Sequence, residues 1–195
     1  ASDVYKRQQW TAVRATDYPY CQSPFTVLAH RGGAGMAVNK GIENTLAAFG
    51  HAVEVGCTYL ETDVHATSDG VLVAFHDPIL DRVTESGGVI AAMPWHKVKQ
   101  AKVGGEPIPT LDEIFDAFPE AFINIDIKHD GATMPLIDVL SRHRAWSRVC
   151  VGSFSSKRIQ TFRRLVQGRT ATAVGPVGVG WACLLYTSDA ADERS

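Results

Sequence analysis

A chain of 195 residues, 45% hydrophobic and 21% charged, is long enough to bury a sizeable core and reads as one soluble globular domain. Its net charge of −2, with both signs mixed along the chain, excludes nucleic acid or an anionic membrane surface as an expected partner. No apolar run is long enough to span a bilayer. Cys21, Cys57, Cys150 and Cys183 form no C-x-x-C pair, and scattered reduced thiols in a cytoplasmic protein are the expectation.

In chain order, the first stretch, ASDVYKRQ (1–8), resembles translated sequencing-adapter read-through, as does CLLYTSDAADERS (183–195). Both are set aside as foreign or disordered ends, which leaves residues 9–182 as the domain. Apolar runs suited to buried strands are FTVLAH (25–30), TYLETDV (58–64), VLVAFH (71–76), FINIDIK (122–128), RVCVGSF (148–154) and RTATAV (169–174). Helical patterns lie between them. Residues 44–55 place Leu46, Phe49 and Val53 on one stripe, with Asn44 as the expected N-cap. Thr110 and Glu113 form a capping box ahead of Ile114 and Phe115. Leu136, Ile137 and Leu140 mark a third helix, and Ile159, Phe162, Leu165 and Val166 a fourth. Segment 77–109 is broken repeatedly by proline and glycine and reads as a loop-rich excursion. Alternating strands and helices predict an α/β fold with a parallel sheet or barrel.

Strands buried on both faces should be apolar, yet these carry charge in a regular manner. His30 and Arg31 end the first. Glu61 and Asp63 sit two apart in the second, so they share a face. His76 ends the third, followed by Asp77. In the fourth, Asn124, Asp126 and Lys128 alternate with Ile123, Ile125 and Ile127. In a (β/α)-barrel such residues meet at the mouth formed by the carboxyl ends of the strands. Three convergent carboxylates repel one another unless a hard cation neutralises them, and oxygen ligation favours Mg²⁺ or Ca²⁺. Arg31 and Lys128 suit a phosphate, and two histidines suit acid–base work near neutral pH. Together these describe phosphodiester cleavage, without choosing a substrate.

The same residues carry a family likeness. AHRG (29–32), ENTLAAF (43–49), LETDVHATSDG (60–70), VAFHD (73–77), PTLDE (109–113), NIDIK (124–128) and GSF (152–154) resemble the motifs of glycerophosphodiester phosphodiesterases, in that family's order. The resemblance implies a (β/α)₈ barrel and hydrolysis of small-molecule glycerophosphodiesters to glycerol 3-phosphate and an alcohol. It implies His30 and His76 as the acid–base pair, and Glu61, Asp63 and Asp126 as ligands of a divalent metal. Arg31 and Lys128 would contact the phosphate, with Glu43 supporting the site. Two departures are visible: the family often has Glu where this chain has Asp126, and GGAGMAVNKGI (32–42) is longer than the usual link before ENT.

His65 has the opposite parity from Glu61 and Asp63 and reads as structural, while His51, His96, His129 and His143 read as surface residues without partners. Asp69–Gly70 reads as the turn between the second and third strands. Alternative functions are a related barrel phosphodiesterase of the lysophospholipase D or sphingomyelinase D type, a non-catalytic binding module, or an inactive fragment. The last arises because a (β/α)₈ barrel takes about 250 residues. With about six strands in view, an incomplete barrel with an open sheet is expected, edged by residues 25–30 and 169–174.

Overall fold

The computed structural model describes residues 14–23 and 26–173. The expected foreign ends and Cys183 lie outside that range. In chain order the elements are β1 (Leu28–Ala29), α1 (Leu46–Glu54), β2 (Tyr59–Ala66), β3 (Leu72–Ala74), α2 (Trp95–Val98), β4 (Lys102–Val103) and β5 (Glu106–Pro107). They continue with α3 (Leu111–Ala117), β6 (Phe122–Ile127), α4 (Thr133–Arg142), β7 (Val149–Gly152), α5 (Ser156–Val166) and β8 (Ala171–Thr172). Short 3-10 turns fill several of the links.

Five strands form a parallel sheet in the order β1-β2-β6-β7-β8, and β3 pairs with β2 as a sixth. The expected α/β class with a six-stranded, barrel-type sheet is therefore present. It is an open arc: β1 and β8 are its two edges among the described residues, and no pairing joins them. The third strand differs from the expected barrel wall. β3 runs antiparallel to β2, with Val64 opposite Ala74 and Ala66 opposite Leu72. The physical reason is the short link, since a parallel return needs a crossover of a dozen or more residues. The turn at Asp69–Gly70 is as expected, and Thr67 closes it through Oγ1 to the Asp69 carboxylate at 2.6 Å.

The parity of the strands sorts the core from the site. Ile123, Ile125 and Ile127 are fully buried against helix residues such as Phe49, Phe115, Leu136 and Phe162. Asn124, Asp126 and Lys128 take the other face. The capping box at Thr110 forms, with Glu113 returning to the Thr110 N–H at 2.7 Å. Asn44 is not the cap of α1. Thr45 is, through a 3.2 Å bond from the Ala48 N–H to its Oγ1, because Asn44 sits left-handed at φ 58° and is used elsewhere.

The excursion is more ordered than its prolines and glycines predict. Val73, Phe75, Leu80, Ile90, Val98 and Val103 form a second apolar cluster beneath it, with α2 and the β4–β5 hairpin as its frame. Its glycines serve a close approach: a Cβ on Gly104 would lie 2.5 Å from the Gly41 carbonyl oxygen. Three histidines read as partnerless have partners, and His129 is one of them, its Nδ1 accepting the Gly131 N–H at 3.2 Å. His51 Nδ1 lies 2.6 Å from Asn39 Oδ1, and His143 Nε2 lies 2.8 Å from Asp112.

A buried side chain within the long 32–42 segment ties it down. Fully buried Asn39 donates through Nδ2 to the carbonyls of Gly32, Gly33 and Ala48 at 3.0–3.1 Å. Asn39→Ala leaves these acceptors without that donor, so it should cost about 1–3 kcal/mol of unfolding free energy. Denaturant unfolding checks this, and a change under about 0.5 kcal/mol would contradict the assignment.

Candidate active site

Register brings the acidic residues side by side. In the parallel β2–β6 pair, Asp63 stands opposite Asp126 and Glu61 opposite Asn124. All three carboxylate residues are buried. The Lys128 ammonium lies between the two aspartates, 2.9 Å from Asp63 Oδ1 and 2.6 Å from Asp126 Oδ2. Burial works against its charge, but these two hydrogen bonds prevail and raise the Lys128 pKa above the ordinary value. Glu61 accepts the Arg31 backbone N–H at 2.7 Å. Burial first, and the negative charge of Asp63 second, push Glu61 up from 4.5 to about 7.

Arg31 enters from the end of β1 in a left-handed conformation, φ 49° and ψ 42°, which is strained for a side chain of its kind. Its Nε lies 3.6 Å from Asp63 Oδ2 and its Nη1 lies 3.4 Å from Glu43 Oε1. The strain is held by Asn44, whose N–H donates to the Arg31 carbonyl at 2.9 Å. The Asn44 amide also donates to Asp63 Oδ2 at 3.2 Å and accepts from Thr62 Oγ1 at 2.9 Å. Asn44 thus fixes Arg31 relative to Asp63. Among the described residues, two buried side-chain polar atoms are left without a hydrogen bond, Arg31 Nε and Asp126 Oδ1. Unpaired buried groups in a native site call for an explanation, and a ligand supplies one.

His76 arrives by the hairpin. β3 returns antiparallel, the Phe75 N–H donates to the Asp63 carbonyl at 3.0 Å, and the next residue stands at the level of the carboxylates. Its Nδ1 lies 2.6 Å from Asp77 Oδ1. Burial raises the Asp77 pKa, yet the bonds from Arg82 and His76 outweigh it and hold that carboxyl below its usual value. Ionised Asp77 can only accept, so Nδ1 carries the proton. His65 supports the same residue from behind, with Nε2 donating to the His76 carbonyl at 3.2 Å. Desolvation lowers the His65 pKa, consistent with a neutral structural imidazole.

Of the predicted site residues, Arg31, Glu43, Glu61, Asp63, Asp126 and Lys128 are linked by hydrogen bonds or ion pairs. His76 joins them through Asp77, Arg82 and Glu43. The His30 ring is exposed and makes no hydrogen bond to another described residue. As the side chains stand, no three acidic, histidine or cysteine groups among the described residues surround a common point closely enough to hold a metal. The Lys128 ammonium fills the space between Asp63 and Asp126.

The family model for the glycerophosphoryl diester phosphodiesterase family matches residues 30–172. The chain belongs to that family. A probable glycerophosphodiester phosphodiesterase of Mycobacterium tuberculosis is 38% identical over 149 residues, covering 76% of this chain and 55% of the relative. A glycerophosphodiester phosphodiesterase of Caldanaerobacter subterraneus is 32% identical over 155 residues, 71% of this chain and 62% of the relative. The chain therefore spans less than two thirds of either family member. Among solved structures, an Oleispira antarctica phosphodiesterase in complex with the product sn-glycerol-3-phosphate superposes with TM-score 0.69 at 28% identity, covering 79% of this chain and 66% of that one.

Two members of this cluster of side chains escape the sequence reading. Asn44 was assigned to a helix cap, although a residue flanked by Glu43 and the true cap Thr45 is free to turn inward. Arg82 was overlooked because it lies in the excursion. Adjacency of His76 and Asp77 was the available signal for the imidazole–carboxylate pair.

The raised Glu61 pKa makes stability depend on pH. Folded Glu61 keeps its proton up to about 7 while the unfolded residue loses it near 4.5. Its stabilising contribution is therefore full below about pH 4.5 and is lost as pH rises through about 7. Glu61→Gln removes the titration, so in chelator the variant should gain on the order of 2 kcal/mol on wild type between pH 4 and pH 8. Urea unfolding at both pH values reads this, and an unchanged difference would contradict the assignment.

Proposed function

We propose that the protein hydrolyses glycerophosphodiesters to glycerol 3-phosphate and an alcohol. Supporting this reading is the joining of paired, buried Asp63 and Asp126 to two cationic side chains, Lys128 and Arg31. Arg31 takes the phosphate by its planar guanidinium and Lys128 as a point charge. The orphaned Arg31 Nε is a donor available to a phosphate oxygen. One histidine of the pair His30 and His76 removes a proton from the glycerol 2-hydroxyl or from water, whose oxygen bonds to phosphorus as the bond to the alcohol breaks, and the other protonates that alcohol. Attack by the 2-hydroxyl leaves a cyclic phosphate, which water then opens to glycerol 3-phosphate. The Nδ1 bond to Asp77 aims the free Nε2 of His76 for one of these steps.

Glu61, Asp63 and Asp126 are the residues that would hold a divalent cation, Mg²⁺ or Ca²⁺. The fit rests on their hard oxygen donors, the unpartnered Asp126 Oδ1, and a Glu61 whose charged form is disfavoured by burial and by the neighbouring Asp63 carboxylate. When bound, such a cation supplies positive charge that neutralises these carboxylates and polarises the phosphate. Asp63 and Asp126 would exchange the Lys128 ammonium for it and release Lys128 to the substrate.

A second reading, a lysophospholipase D, has one observation in its favour. A lysophospholipase D of Rattus norvegicus is 38% identical over 115 residues, 52% of this chain and 35% of that protein. Phe154, which follows β7 and is 81% exposed, would offer an apolar surface to such a substrate.

His30→Ala and His76→Ala should each lower turnover of glycerophosphocholine by about 10²–10⁴-fold, as general acid–base roles require. Retention of wild-type turnover by either variant would remove that histidine from the mechanism. Chelation should abolish activity and Mg²⁺ or Ca²⁺ should restore it, whereas full activity in excess chelator would exclude the metal. Faster turnover of lysophosphatidylcholine than of glycerophosphocholine would favour the second reading.

A further inference from the structure

We propose that Arg82, in the excursion after β3, is a positioning residue that sets the His76 imidazole and the Glu43 carboxylate with a single guanidinium. The proposal rests on the reaction proposed above. The arrangement is a fork. Arg82 Nε pairs with Asp77 Oδ2, Nη2 pairs with Glu43 Oε1, and Nη1 lies 3.4 Å from Glu43 Oε2. The other Asp77 oxygen holds His76 Nδ1 at 2.6 Å, and Glu43 Oε1 lies 3.4 Å from Arg31 Nη1. Each arm of Arg82 is therefore one carboxylate away from a working residue, His76 on one side and Arg31 on the other.

Geometry explains why an arginine is needed. A carboxylate bonded through only one oxygen can rotate about that bond, and the imidazole it holds then turns with it. Pinning the second Asp77 oxygen fixes the carboxylate plane and with it the direction of Nε2. Glu43 and Asp77 are also like charges that the fold brings to one cation, and a planar guanidinium meets both with donors in fixed directions, so it sets their orientation as well as their charge. The Arg82 side chain is 44% exposed, so it acts through its two carboxylates rather than on buried reacting atoms.

The excursion holds Arg82 in place. Two residues earlier, Leu80 is fully buried in the second apolar cluster, and its N–H donates to the Gly88 carbonyl at 3.1 Å. Two residues later, Thr84 Oγ1 lies 2.8 and 2.9 Å from the Leu80 and Ser86 carbonyl oxygens, with one hydrogen to give to either, and it accepts the Ser86 N–H at 3.1 Å. Asp81 accepts the Gly88 N–H at 3.2 Å. Arg82 is thus the projecting member of a tied turn, and the second core has a role beyond its own stability.

Two readouts on the 195-residue chain test this, one of them independent of turnover. By proton NMR, wild type should show a downfield His76 Nδ1–H resonance, assigned by its loss in His76→Gln. In Arg82→Gln its exchange with water should accelerate at least about tenfold, as expected when the bond it protects opens more often. In glycerophosphocholine hydrolysis, Arg82→Gln should lower kcat about 10–100-fold, short of the full general acid–base contribution, with KM within about twofold. Arg82→Lys, which keeps one of the two pairings, should recover part of that loss. The double variant with Asp77→Asn should lose less than the product of the two single losses, because the Asp77 arm is already broken. An unchanged exchange rate, or multiplicative losses in the double variant, would overturn the proposal. A chain that shows the exchange effect but hydrolyses no glycerophosphodiester would retain the Arg82 assignment and sink the proposed function instead.

Discussion

Three buried carboxylates on two adjacent strands are the constraint around which the rest of the site is arranged. Asp63 and Asp126 face each other in register, and Glu61 lies two residues along the same strand face from Asp63. Left alone, such a group would repel and take up protons, since burying an unpaired charge is costly. Glu61, held up to about 7, does so in part. Lys128 meets the remaining need by bridging the two aspartates, and Arg31 approaches Asp63 from the other side in a strained conformation. Positive charge gathers here because the fold has already committed the negative charge.

That view connects the fold to the proposed chemistry. A cation and a phosphate brought together would take over the charge balance that Lys128 and Arg31 now maintain. The side chains that hold the frame during such an exchange are neutral or peripheral. Asn44 locks Arg31 to Asp63, His65 holds the His76 backbone, and Arg82 reaches Asp77 and Glu43 from the excursion. Arg31 and Asn44, both left-handed, belong to this frame.

Much of this was legible in the sequence because period-two alternation reports strand faces directly. Ile123, Ile125 and Ile127 against Asn124, Asp126 and Lys128 separate the core from the site without coordinates, and the match over residues 30–172 bears out the family. The pairing direction of β3 was less visible, since Leu72–Ala74 is apolar whichever way it runs. Only the brevity of its link to β2 carried that information. Asn44 and Arg82 were obscured for another reason. Their roles depend on contacts across 19 and 39 residues of sequence, to Asp63 and Glu43, which no local pattern encodes. The second apolar cluster was hidden by the prolines and glycines among which its residues are dispersed.

The most direct test of the account is a crystal structure of the chain grown with Mn²⁺ and glycerol 3-phosphate, with anomalous scattering used to find the ion. The account predicts one anomalous peak bound by Glu61, Asp63 and Asp126, and the phosphate on Arg31. It also predicts that the Lys128 ammonium moves from between the two aspartates to a phosphate oxygen. Phosphate bound with no anomalous peak, and Lys128 still bridging Asp63 and Asp126, would contradict it.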